Sequence, residues 1–144
     1  MKEKSVERIV FEEGFYVSTS CGVSMKPFLR DRKDTVVISS VEGKLKKYDV
    51  VLYRRKDEYV LHRIIKVLPD SYVICGDNLY RKEYNVTDEM ISGVLVGFFK
   101  GDRYIDCEKD KRYLMYVYVW RFLYPIRVVI MLAKRVMRKI KRCF

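Results

Sequence analysis

The first apolar positions, Val6, Ile9 and Val10, recur at helical spacing between Ser5, a capping residue, and Gly14, a stop. A short helix is predicted over residues 5–12. From residue 15 the pattern changes to β-rich runs separated by turn residues. Strands are predicted over 15–19, 35–39, 49–53, 59–68, 72–75, 91–99 and 103–106. Charged or turn-forming residues at 30–34, 42–47, 69–71 and 101–102 punctuate them. Residues 79–89 are polar and read as a loop. Short strands, frequent turns and little helix predict a mainly β domain over residues 1–110, a sheet or partly open barrel.

A different pattern begins at residue 111. Residues 113–133 form the most apolar stretch, yet Arg121, Pro125 and Arg127 interrupt it. A spanning helix needs about 20 apolar residues, and a central Arg costs at least ~2.5 kcal/mol. A clean transmembrane helix is therefore not expected. Pro125 is well tolerated in a first turn and is predicted to open a second helix. From there Ile126, Val129, Ile130, Ala133, Val136, Met137 and Ile140 share one face. Arg127, Lys134, Arg135, Arg138, Lys139 and Lys141 lie mostly off it. Residues 111–144 thus read as a basic amphipathic helical tail of the kind that lies in a membrane interface. Trp120 and the tyrosines before it suit headgroup depth. Two other arrangements stay open: a helical pair packed on the β-body or a second subunit, and a C-terminal anchor with the domain outside the membrane.

Charge sharpens this division. The chain of 144 residues carries +11. Residues 1–110 hold 20 Lys and Arg against 19 acids, whereas residues 111–144 hold 10 and no acid. A cationic tail seeks lipid headgroups, nucleic acid or an acidic partner. Its continuous apolar face favours an anionic membrane surface, and no nucleic-acid partner is expected. The 49% apolar content permits a core, and 12 Tyr with 7 Phe favour β-structure. Cys21, Cys75, Cys107 and Cys143 form no CxxC pair and the chain has one His, which argues against a zinc site. No metal or cofactor is expected. Reduced thiols are the default, with a Cys21–Cys75 bridge left open. Residues 1–15 contain four Glu and no long apolar run, so no secretory leader is expected there.

Chemistry concentrates at Cys21-Gly22-Val23-Ser24-Met25-Lys26-Pro27. A serine becomes a nucleophile when a base and backbone N–H groups for an oxyanion surround it. Gly22 lets backbone approach a substrate, and Pro27 stiffens the exit. Downstream stand Leu61-His62-Arg63 within a strand and Gly76-Asp77-Asn78 at a strand end.

In these three motifs, taken in order, residues 15–106 resemble the type I signal peptidases, a family of serine endopeptidases. The family places its nucleophile in a Ser-Met-x-Pro turn, its base in a strand followed by Arg, and a Gly-Asp-Asn box after it. The resemblance implies Ser24 as nucleophile with Met25 supporting the turn, and His62 as base in the Ser–His branch. It also implies Asp77 as the acid that orients His62, with Glu83 as a second, looser candidate. Histidine suits the base role, since its ordinary pKa of about 6.5 leaves it largely neutral near pH 7. The oxyanion is expected on the Ser24 N–H, with help near Gly22. The implied substrate is an extended signal or leader peptide, bound as an added strand.

The chain departs from the family at Lys33-Asp34 and Tyr48-Asp49, where Gly-Asp is usual, and an N-terminal anchor is not expected. Self-cleaving repressors share the serine turn but use Lys as base and carry a DNA-binding domain, neither of which is evident. A binding module without catalysis, gripping nucleic acid or membrane through the tail, is the alternative.

Overall fold

The structure, a computed structural model, describes residues 5–144. Ser5 caps helix α1 (Val6–Glu13) by accepting the Arg8 N–H, and Gly14 ends it in a left-handed conformation at φ 81°. Val6 and Val10 are buried. Two hydroxyls tie the helix to the body: Tyr59 and Ser92 both donate to Glu7, at 2.7 and 2.8 Å.

Eight strands follow: β1 (Phe15–Thr19), β2 (Thr35–Ser39), β3 (Val50–Arg55), β4 (Glu58–Val67), β5 (Tyr72–Cys75), β6 (Glu83–Val86), β7 (Ile91–Lys100) and β8 (Arg103–Asp106). They make one open antiparallel sheet ordered β1-β2-β7-β3-β4-β5-β6, with β8 paired to β7. Strand β6 was not expected, because residues 79–89 are polar. It forms by pairing with β5, Tyr72 opposite Val86 and Ile74 opposite Glu83, and buries only Val86. A 3₁₀ turn, Asp88–Met90, leads into β7.

Alternation along the strands divides the core between the two sheet faces. One face carries Val36, Ile38, Val50, Leu95 and Phe98, covered by Met25, Phe28 and Leu29 of the serine loop and by Tyr113. The other carries Val51, Tyr53, Ile64, Tyr72, Ile74 and Val86. The register Val51↔His62 and Val50↔Arg63 sends the two neighbours His62 and Arg63 to opposite faces. That alternation governs the site.

The tail is one helix, α2 (Lys111–Cys143), rather than two. Asp110 caps it by accepting the N–H groups of Arg112 and Tyr113. Pro125 lies inside it. Tyr116, Trp120 and Tyr124 before the proline and Arg135 after it bond to the body, so the helix runs on through Pro125. The N-terminal half of the helix packs on the body through Tyr113, Tyr116, Trp120 and Tyr124. Tyr113, Tyr116, Trp120, Tyr124, Arg127 and Met131 form its inward stripe, all buried or half-buried. The last contact outward is Arg135 with the Tyr80 hydroxyl. The opposite stripe, including Met115, Tyr118, Phe122, Ile126, Val129 and Val136, is exposed. By length and composition α2 is able to cross a membrane, with a mean hydropathy of 1.4 in its apolar window.

Candidate active site

The serine loop is held at both ends. On entry, the Gly22 N–H donates to Asp31 Oδ1 at 2.7 Å, and Gly22 takes φ 93°, a conformation open to glycine. On exit, the Asp34 carboxylate receives the Arg30 N–H and guanidinium and the Lys100 ammonium, at 2.7–3.0 Å. Asp34 is fully buried, which works against its charge, but these donors outweigh burial and hold its carboxyl below the usual range. Met25 pegs the turn into the core at 5% exposure, and its Sδ accepts the Asp77 N–H.

The Gly-Asp-Asn box clamps that turn. Asn78 donates its N–H to the Ser24 carbonyl at 2.7 Å and its side-chain amide to the Val23 carbonyl at 3.1 Å. Continuing the register Arg63↔Cys75 by one residue sets Gly76 beside His62. A Cβ on Gly76 would lie 2.7 Å from the Ser24 carbonyl oxygen and 3.1 Å from His62 Cδ2. The serine turn and the histidine ring therefore meet across one glycine, and only glycine permits that approach.

His62 is 3% exposed. Its Nδ1 lies 3.2 Å from the Tyr53 hydroxyl and 3.7 Å from Glu83 Oε1. Glu83 is itself held by Arg55 at 2.7 Å. Burial lowers the His62 pKa below its ordinary value; the Glu83 carboxylate raises it, Arg55 lowers it and Asp77 raises it, with a net lowering. With Nδ1 turned toward Glu83, the Cδ2 edge, next to Nε2, faces the serine turn. Among the described residues, Ser24 Oγ makes no direct hydrogen bond to His62.

Asp77 does not face His62. Both of its oxygens bind Arg63, at 2.8 Å each, and Oδ2 also accepts the Tyr116 hydroxyl at 2.9 Å. Strand alternation explains this correction: Asp77 pairs with the residue after the histidine, on the opposite face. Among the two candidate acids, Glu83 is the one beside the ring. The Gly22 N–H is already engaged by Asp31. The Ser24 N–H bonds to no protein group among the described residues. Tyr53, and the pairing of Arg63 with Asp77, escaped sequence reasoning. The signal was present: an arginine beside a strand histidine points to the other face and takes its own acid there.

A groove of about 470 Å³ runs past Ser24. Tyr16 and Ser18 of the edge strand β1 form one wall, Val60 and Leu61 of β4 another, and Val36, Ile38 and Leu52 contribute apolar floor. Among the described strands β1 pairs only with β2, so its other edge carries no strand. All four cysteines are free thiols, with Cys21 exposed and Cys75 buried. Comparison of the chain with protein-family models, with curated proteins and with solved structures found no match to any of them.

Proposed function

We propose that the chain is a serine endopeptidase of the Ser–His type, similar in its motifs to type I signal peptidases. Ser24 is the nucleophile, His62 the base, and Glu83 the acid behind the base. The observation that carries this reading is the meeting of the serine turn and the His62 ring on either side of Gly76. Ser24 Oγ attacks the scissile carbonyl carbon as His62 Nε2 takes its proton, and the oxyanion rests on the Ser24 N–H. Collapse breaks the C–N bond, and the proton passes from Nε2 to the departing amine. Water then repeats the sequence on the acyl-enzyme and frees Ser24.

The substrate is an extended peptide lying in the groove, with its backbone on the free edge of β1. A serine-reactive phosphonate tests the nucleophile directly. It is expected to label Ser24 in the wild type and to fail with His62→Ala; labelling that is indifferent to His62 contradicts the dyad.

A second observation favours an in-plane membrane location. The body touches α2 from Tyr113 to Arg135, a run of about 33 Å at helical rise. The hydrocarbon core is about 30 Å thick. A helix crossing with these contacts intact would draw the exposed Lys47, Arg81 and Lys82, which flank the contacting Tyr48 and Tyr80, into lipid. Burying such charges is costly. Lying flat, α2 instead presents its apolar outer stripe to the acyl region, with its basic residues along the flanks at headgroup level.

A further inference from the structure

The Tyr53 hydroxyl stands between two groups of the site. It is 3.2 Å from His62 Nδ1, and Glu83 Oε1 lies 3.7 Å from that same nitrogen, close enough to act on the phenol. Tyr53 is fully buried, on the sheet face that it shares with His62. Burial, and after it the Glu83 carboxylate, push the Tyr53 phenol up, so it keeps its proton at neutral pH.

A phenol has one proton to donate, and two acceptors compete for it. One is a carboxylate held by Arg55; the other is the lone pair of a neutral imidazole. The anion is the stronger acceptor. If Tyr53 donates to Glu83, its oxygen is left to accept from His62, which requires the proton on Nδ1. Glu83 Oε1, at 3.7 Å, is too far from Nδ1 to take that proton directly. The charged and titratable groups around the ring are Tyr53 and Arg55 from β3, Glu83 from β6 and Asp77 after β5.

We propose that Tyr53 is a positioning residue that holds His62 in the Nδ1–H tautomer, accepting that hydrogen bond and passing its own to Glu83. Nε2 is then left with its lone pair toward the serine turn, the form a general base needs. This rests on the assignment of His62 as the base, but its test does not depend on activity.

His62 is the single histidine of the chain, so every imidazole nitrogen signal belongs to it. Long-range proton–nitrogen correlation on the full-length labelled protein in detergent micelles, above the titration of the ring, reads the tautomer. The expected wild-type spectrum has Nδ1 pyrrole-like and Nε2 pyridine-like. In Tyr53→Phe the population moves to the Nε2–H form, and peptide cleavage falls by a factor on the order of 10², mainly in kcat. A wild-type ring protonated on Nε2 overturns the proposal, even if Tyr53→Phe fails to fold. So does a folded Tyr53→Phe whose Nδ1–H population is unchanged. Absence of any cleavage in the wild type would count against the peptidase reading, and the nitrogen spectrum would still decide the role of Tyr53.

Discussion

Arg63 and Asp77 form a bidentate ion pair in which both side chains are fully buried. Burial works against the Arg63 charge, but Asp77 outweighs it and the guanidinium pKa is raised. Phe28 and the α2 aromatics Tyr113, Tyr116 and Trp120 roof the guanidinium, with centroids 5.4–6.0 Å away. The Trp120 indole also donates to the Asp77 carbonyl at 3.2 Å. Asp77 is thus the joint between the box that clamps Ser24 and the helix that covers the body.

Removing one partner of a buried pair leaves an uncompensated charge and costs about 3–5 kcal/mol. Asp77→Ala is expected to destabilise the fold by about that much in chemical denaturation. Trp120 is the single tryptophan, so its emission reports α2 directly and should shift to the red. Unchanged stability and emission would contradict the joint.

Gly76→Ala places a methyl 2.7 Å from a backbone oxygen that cannot rotate away. The serine turn must shift relative to His62. Labelling of Ser24 by a serine-reactive probe is expected to slow by more than about tenfold, the scale of a misplaced catalytic pair, while circular dichroism stays that of a folded β-protein. Labelling at the wild-type rate would show that the two groups do not act across this glycine.

The lowered pKa of His62 sets a pH dependence. Its base form persists below the ordinary histidine value of about 6.5, so the acid limb of kcat/KM should fall below that pH. Glu83 raises this pKa, so Glu83→Gln should move the limb further toward acid. Stability follows the same sign. Between the folded value and about 6.5 the unfolded chain binds the extra proton. Stability is therefore full above that window and falls as pH drops through it; His62→Gln should remove this contribution. A limb above pH 6.5 would contradict a desolvated His62.

Phe122 and Ile126 on the outer stripe of α2 are 74% and 55% exposed. Replacing both with Glu should leave the unfolding midpoint near wild type and abolish cosedimentation with anionic vesicles. Wild-type binding should weaken with salt, because basic side chains contribute to it. Binding to DNA but not to vesicles would assign the tail to nucleic acid instead.

Much of the fold was legible because alternation and turn residues mark seven of the eight strands. β6 was not, since Val86 is its single buried residue and only pairing with β5 defines it. Pro125 misled for a related reason. Local propensity argued for a break, but Trp120 and Tyr124 before it and Arg135 after it all bond to the body. At the site, the motifs located Ser24, His62, Asp77 and Glu83 but not which acid faces the ring. That choice belongs to strand alternation, which separates His62 from Arg63 and sends Asp77 to the arginine. Tyr53, nine positions before His62, becomes its neighbour only through the β3–β4 pairing.

The most direct measurement is mass spectrometry of signal-like and leader-like peptides incubated with the full-length protein in lipid micelles, wild type beside Ser24→Ala and His62→Ala. One new cleavage site in the wild type, absent from both variants, is the expected result. The same cleavage by folded Ser24→Ala would contradict a serine peptidase centred on Ser24.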